Sequence, residues 1–279
     1  MIADRLALIA GNGVFPVLVA RGAREAGVEV VACAHVGETD PAIESEVAEC
    51  TWVRVGELGK IIRTFRQAGC TRAVMAGGIK KARLFSGFRP DLRGAAFLAR
   101  MRTLHDDKLL TGIADELAGE GIPVVASTIF LPRLVPEPGV LGRRAPRARE
   151  REDIRFGLAV AKAVGAFEIG QTVVVKDGLV VAVEAVEGTD AAIRRGGDLA
   201  RRGAVVVKVA KPGQDLRFDV PAVGPETIRL MSDVRATALA VEARRTLLLE
   251  RDRLIAAADA AGIAVVAVEA EEPGAEDGR

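Results

Sequence analysis

Between Lys208 and Gly224 the chain gathers Lys208, Lys211, Gln214, Asp215, Arg217 and Asp219. Pro212-Gly213 and Pro221 break this stretch, an apolar run from Ala204 to Val207 precedes it, and the pattern predicts a helix start at Pro225 to Ile228. The polar groups therefore ride on an irregular loop anchored at both ends by regular structure, where binding and catalytic groups concentrate. Cations alternating with carboxylates suit the joint capture of phosphate oxygens and a hard divalent cation. Lys and Arg neutralise the anion, and Asp oxygens fix the ion. A solvated surface loop of ion pairs is the competing reading of the same residues.

Other chemistries are poorly supplied. His35 and His105 are the only histidines, too few for a His-rich dinuclear site or a Ser-His-Asp arrangement. Cys33, Cys50 and Cys70 are far apart, odd in number and form no Cys-x-x-Cys pair, so they read as small buried hydrophobes. Carboxylates, Lys and Arg must carry any catalysis. With 279 residues, a formal net charge of +1 and 49% apolar residues, the chain suits one or two folded domains and has no global attraction for nucleic acid. No charged leader with an apolar core is visible, and no apolar run approaches the ~18 residues of a membrane span, so a cytoplasmic protein is expected.

The elements that must position the loop begin with Leu6 to Ala10, an apolar run leading into Gly11-Asn-Gly-Val-Phe-Pro16, a helix pattern over Val17 to Ala26, and a second apolar run, Val28 to Cys33. Strand, glycine turn, helix and strand imply a parallel sheet, and the glycines let backbone N–H groups approach an anion, a diphosphate or a sugar hydroxyl. A dinucleotide fingerprint would need a third glycine where Pro16 stands and an acidic residue at the end of the second strand, where Ala34-His35-Val36 occurs. NAD binding is therefore discounted, and a Rossmann-like sheet with a ligand at its carboxyl edge is retained. Leu58 to Ala68 reads as a helix. Arg72 to Ala76 is a strand that ends in Gly77-Gly-Ile-Lys80, and Gly121 to Ala126 is the last strand of this half. Lys80 to Leu110 interleaves Lys80, Lys81, Arg83 and Arg89 with Leu84, Phe85 and Phe88, a mixture that could grip anionic lipid, although an amphipathic helix with a solvated basic face is the commoner origin. Asp106 and Asp107 could hold a metal or cap a helix.

Prolines and an Arg-rich run between Pro132 and Arg151 read as a boundary, giving domains 1–133 and 151–279 with a linker over 134–150. The second half offers a helix from about Asp153 to Ala166, strands Thr172 to Lys176 and Leu179 to Val186 around the hairpin signal Asp177-Gly178, and a strand over Ala204 to Ala210. Thr189 or Asp190 in Glu187-Gly-Thr-Asp190 is placed to cap the next helix. Thr246 to Leu249, Leu254 to Ala261 and Ile263 to Glu269 close the chain as strand, helix and strand. The fold class is α/β: an N-terminal Rossmann-like parallel-sheet domain and a C-terminal α/β domain with a mixed sheet.

Several of these segments together resemble the LpxI family, the UDP-2,3-diacylglucosamine pyrophosphatases of lipid A biosynthesis in Gram-negative bacteria. They are Gly11-Asn-Gly-Val-Phe-Pro16, Gly77-Gly-Ile-Lys80, Asp106-Asp107 with Leu109-Leu110, Ile169-Gly-Gln171, Glu187-Gly-Thr-Asp190 and Lys211-Pro-Gly-Gln-Asp-Leu-Arg-Phe-Asp-Val-Pro221. Glu168 stands where the family usually has Asp before Ile-Gly-Gln, which keeps the charge. The resemblance covers nearly the whole chain.

It implies hydrolysis of UDP-2,3-diacylglucosamine to lipid X and UMP with Mg²⁺, by two domains that bind the ligand between them. It also implies a homodimer, peripheral contact with the inner membrane, and no nucleic-acid partner. The family's key acidic residue falls on Asp219. Asp219 is then expected as a metal ligand or as the group that orients water, with Asp190 as the second ligand and Asp215, Glu187 and Asp106 as further candidates. Lys208, Lys211 and Arg217 would clamp the diphosphate. Gly11, Asn12, Gly13, Phe15, Gly78, Lys80, Gln171, Glu187, Gly188, Thr189, Asp190 and Gln214 would line the substrate. A pyrophosphatase for another nucleotide-linked sugar, and a non-catalytic nucleotide- or lipid-binding protein, are the alternatives.

Overall fold

Short apolar runs separated by glycine turns and amphipathic stretches build the parallel units that the pattern demands. The protein is described here from a computed structural model covering residues 4–79, 89–101 and 106–270. Lys80, Lys81, Arg83, Leu84, Phe85 and Phe88 fall outside the described residues, as do the side chains of Asp106 and Asp107. Two compact units are present, Met1–Leu131 with Leu216–Phe218, and Pro132–Asp215 with Asp219–Arg279.

The first unit carries strands β1 (Arg5–Ala10), β2 (Glu29–His35), β3 (Glu49–Val53) and β4 (Arg72–Ala76), all parallel and ordered β3-β2-β1-β4. Leu6, Ala7, Leu8 and Ala10 are fully buried, as expected of a parallel strand covered on both faces. Helix α1 (Phe15–Glu25) connects β1 to β2, and α2 (Leu58–Gln67) connects β3 to β4. The chain steps outward from β1 to β3 and then returns to β4 on the other side of β1. The topological switch point, where ligands of open α/β sheets gather, is therefore between β1 and β4.

The expected strand over Gly121 to Ala126 reduces to a single bridge between Ala73 and Val124. Pro123 has no N–H to donate, and Ser127–Phe130 already turns as a 3-10 helix. Of the basic and apolar segment, α3 (Leu92–Arg100) and α4 (Asp106–Gly119) are described. Arg93 meets Glu116 at 2.9 Å and Glu120 at 2.6 Å, and Arg100 meets Glu116 at 2.6 Å, so these cations are paired with α4 carboxylates.

The second unit contains β5 (Gly139–Val140), α5 (Ala148–Ala166), β6 (Thr172–Lys176), β7 (Leu179–Val183), α6 (Thr189–Ala200), β8 (Val205–Lys208), β9 (Ala222–Val223), α7 (Pro225–Asp233), β10 (Ala238–Glu242), β11 (Leu247–Leu248), α8 (Arg251–Ala261) and β12 (Ala264–Val268). Six strands form one sheet in the order β5-β12-β10-β8-β6-β7. Strands β8, β10 and β12 are parallel, whereas β5, β6 and β7 pair antiparallel with their neighbours, so the sheet is mixed.

Two-residue alternation sorts the core into two clusters. Val173, Val175, Val205 and Val207 pack with Ile154, Leu158 and Ala161 of α5, whereas Val174 and Val206 join Ile193, Ile228, Met231 and Leu254 from α6, α7 and α8. The hairpin turn lies where it is expected. Asp177 and Gly178 take φ of 51° and 78°, and both of their N–H groups donate to the carboxylate of Asp153.

Residues 134–150, read as a linker, contribute β5 to the sheet edge and the start of α5. Glu150 accepts the Arg147 N–H at 2.7 Å and both Arg144 bonds, which draws the helix start back from Asp153 to Ala148. Sequence reading places no strand at 238–242, although β10 lies inside the sheet, between β12 and β8.

Candidate active site

Sheet register builds the centre of the site. Lys208, at the end of β8, lies opposite Thr172 of β6, and Thr172 accepts the Glu184 N–H at 2.8 Å just past β7. Lys208 Nζ donates to Thr189 Oγ1 at 3.0 Å, and that hydroxyl donates to Glu184 Oε1 at 2.8 Å. Lys208 is 7% exposed and Glu184 8%. Burial pushes the Lys208 ammonium below the ordinary lysine pKa, while the charges of Glu184, Asp219 and Asp190 push it back up. One buried cation thus feels the charges of three carboxylates.

The capping role expected of Thr189 or Asp190 is not taken. Gly188, with φ of 85°, occupies the N-cap of α6, and no side chain caps the helix. Thr189 opens the helix with its hydroxyl committed to Lys208 and Glu184, while Asp190 sits in the first turn, where the helix dipole favours a carboxylate. Sequence reasoning missed Glu184. The available signal is a carboxylate interrupting the apolar run Leu179 to Val186, and such a charge stays buried only when something uses or pairs it. Among the described residues, Glu184 Oε2 is buried without a hydrogen-bond partner, as is Gln171 Oε1.

Gly170 explains why Ile169-Gly-Gln171 precedes β6, because a Cβ there would collide with the carbonyl oxygen of Glu184. Gly170→Ala is expected to lower the stability of the second unit by about 3 kcal/mol, since a backbone atom must give way. The loss should appear as a fall in melting temperature of roughly 6–12 °C, and an unchanged melting curve would count against the close approach.

Gln214 organises the loop that follows Lys208. It accepts the Lys211 N–H at 2.8 Å through Oε1, and through Nε2 it donates to Asp219 Oδ2 at 2.6 Å and to the Asp219 carbonyl at 3.2 Å. The Asp219 N–H in turn donates to the Asp215 carbonyl at 3.3 Å. Asp219 is therefore an exposed carboxylate held in a fixed direction.

Not every expected site residue converges on this centre. Lys211 Nζ pairs with Glu168 at 2.7 Å, Glu187 pairs with Arg195 at 2.7 Å, and Arg217 stacks on the Phe218 ring at 4.9 Å. The Glu187 carboxyl is held below its usual range by backbone N–H donors and Arg195. Phe218 packs with the hydrophobic cluster of the first unit.

In the first unit, Gly11–Gly13 and Gly77–Gly78 lie together at the switch point. Gly11 N donates to Ala76 O and Asn12 N to Gly78 O, both at 2.8 Å. A Cβ on Gly11 would strike the Gly77 and Gly78 backbone, and one on Gly77 would strike that of Gly11 and Asn12. The two glycine motifs are thus one interlocked structure. Gly13 takes φ of 81° and leads into α1, whose first residue is Phe15 and whose second is Pro16.

Asn12 Nδ2 donates to Glu38 Oε2 at 3.2 Å, and Glu38 is 9% exposed. No acidic residue stands at the end of β2, yet the following turn brings Glu38 back to this edge, which sequence spacing alone does not reveal. The Ala10 carbonyl accepts from Thr39 Oγ1 at 2.6 Å and from His35 Nδ1 at 2.9 Å, which fixes the proton on Nδ1. Burial lowers the His35 pKa, so the imidazole is neutral near pH 7.

Among the described residues no group of three or more His, Cys, Asp or Glu side chains is disposed to hold a metal ion, and no helix is long and apolar enough to cross a membrane. The groups bonded in series to Lys208, the Thr189 hydroxyl and the Glu184 carboxylate, are hard oxygens, the donor class of Mg²⁺, which takes one or two carboxylates and completes its shell with water and phosphate.

The chain matches the family models of the LpxI N-terminal domain over residues 5–134 and the LpxI C-terminal domain over residues 137–266. It is 35% identical over 279 residues to the UDP-2,3-diacylglucosamine pyrophosphatase LpxI of Caulobacter vibrioides, an alignment that covers 96% of this chain and 99% of that protein. On the interlocked glycine motifs, the Gln214-held Asp219 and these matches across both halves, the chain belongs to the LpxI family.

Proposed function

We propose that this protein is a hydrolase of lipid A biosynthesis that cleaves the diphosphate bond of UDP-2,3-diacylglucosamine with water, giving UMP and lipid X. The observation that carries the reading is the buried Lys208 ammonium, held by Thr189, whose hydroxyl is bonded to Glu184, and acted on by the charges of Asp190 and Asp219. Cleavage of a phosphoric anhydride needs neutralisation of the equatorial oxygens, a directed water and relief of charge on the departing phosphate. Lys208 supplies a fixed positive charge in a poorly hydrated place, where it acts more strongly on a phosphate oxygen than it would in water.

Asp219, held by Gln214, directs the attacking water, which bonds to one phosphorus as the bridging P–O bond breaks. Asp219 and Asp190 are the residues that would hold Mg²⁺, and a bound Mg²⁺ would neutralise phosphate charge. The acyl chains of substrate and product make peripheral contact with the inner membrane part of the same proposal.

Incubating the purified protein with UDP-2,3-diacylglucosamine, with and without Mg²⁺, tests the reading directly. UMP and lipid X should accumulate together. Binding of the diacyl compound with no UMP at any Mg²⁺ concentration would make the protein a nucleotide- or lipid-binding module. Release of UMP from soluble nucleotide sugars in preference would reassign the substrate.

A further inference from the structure

Beneath the loop lies an ion pair that the reaction chemistry does not use. Lys162 of α5 and Glu242 at the end of β10 are each 2% exposed and meet at 2.8 Å. Lys162 Nζ also donates to the carbonyl of Ala210 at 3.1 Å, and Glu242 Oε2 accepts the N–H of Ala210 at 2.7 Å. Both polar groups of Ala210 are therefore held by buried, charged side chains, two residues past the last strand residue, Lys208. Strand pairing has ended there, and the loop that carries Gln214 and Asp219 begins at the next residue. Arg245 Nε lies 3.6 Å from the same carboxylate, and α5 approaches closely enough that a Cβ on Gly165 would sit 3.2 Å from Lys211 Cα.

Stability alone does not account for such a pair. Removing two charges from water costs several kcal/mol per ion, and well-packed apolar residues of similar volume commonly serve a core as well or better. What apolar side chains cannot do is fix the two peptide groups that flank one residue through charge-assisted bonds, one to its N–H and one to its carbonyl. We infer that Lys162 and Glu242 are positioning residues that fix the two peptide groups on either side of Ala210, and through them set the Lys211–Asp219 loop against Lys208. The inference rests on the hydrolase reading above, because it assigns the pair a task in that reaction.

Two double variants test it. Lys162→Met with Glu242→Met removes both charges and every side-chain bond to Ala210, whereas Lys162→Met with Glu242→Gln keeps an acceptor for the Ala210 N–H. The first should lose kcat by on the order of 100-fold with KM within about threefold, as expected for a misplaced catalytic loop. The second should recover a large part of that loss, with both melting temperatures near that of the unmodified chain. A kcat within about threefold of the unmodified chain in the Met/Met variant, or equal losses in both variants, would overturn the inference.

Should the Met/Met variant fail to fold, amide exchange in the unmodified protein decides. The Ala210 N–H should exchange as slowly as the core of β8, and exchange at the rate of the exposed Gly213 amide would overturn the inference. An unmodified chain that releases no UMP refutes the hydrolase reading instead, and the exchange comparison still shows whether the peptide is held.

Discussion

Asp219→Ala is expected to lower UMP release by on the order of a thousandfold while the protein folds normally, since the lost group acts on the reacting water rather than on a core. Asp219 is exposed, and its carboxylate accepts from Gln214 in the loop, so the stability cost should stay near the ~1 kcal/mol of a single hydrogen bond. Asp219→Asn separates charge from geometry, because the amide oxygen still accepts from Gln214 Nε2 while the negative charge is gone. Both variants should lose turnover to a similar degree. The measurement is single-turnover release of UMP alongside a melting curve. Turnover near that of the unmodified chain in either variant would remove Asp219 from the centre of the reaction.

Lys208→Met carries the second large effect, a fall in kcat of about 100-fold, the scale of losing one preorganised charged donor in a water-poor site. This change also disturbs the fold, because Thr189 and Glu184 lose their buried partner, at roughly 2 kcal/mol. Adding Glu184→Gln should return much of that stability and none of the activity, which distinguishes a missing charge from a loosened unit. The sign of the pH dependence supports the same comparison. Burial sets the folded pKa of Lys208 below its ordinary value of 10.5, so the unfolded chain holds this proton more tightly. The contribution of Lys208 to stability therefore improves as pH rises from its folded pKa toward 10.5, and Lys208→Met should flatten that slope. A double variant that regains both stability and turnover would show that Lys208 serves packing alone.

The two glycine motifs were legible as tight turns at the carboxyl ends of two strands, because each follows a short apolar run. Their interlocking was not, since Gly11 and Gly77 are brought together only by the parallel pairing of β1 and β4. Asp177-Gly178 between two apolar runs announced the β6-β7 hairpin, whereas the sorting of neighbouring valines onto two faces is seen only in the folded sheet. Strand β10 escaped because Ala-Leu-Ala-Val-Glu has neither clear alternation nor strong β-branching, and its position in the sheet is a tertiary fact.

Lys208 and Asp219 could be named from one loop. Glu184 and Glu38 could not, because each acts through a partner set by strand register or by a returning turn. Lys162 and Glu242 are invisible to any local pattern, since their contact spans 80 positions and only the folded core brings it about. Thr189 illustrates the opposite failure. Local rules assign it to helix capping, and a buried lysine from a different strand claims its hydroxyl instead.

The brevity of β5 has a consequence for how the protein behaves at high concentration. β12 is an alanine- and valine-rich strand, Ala-Val-Val-Ala-Val, parallel to β10, whose outer row of amides and carbonyls would serve as a template for another chain. Gly139 and Val140 cover part of that row with an antiparallel cap of only two residues, and the Leu141 N–H adds one more bond to Val265. A cap this short offers little backbone of its own for a stranger to extend. The short strand β5 thereby guards the sheet edge against edge-to-edge assembly, at the end of the strand order opposite β7.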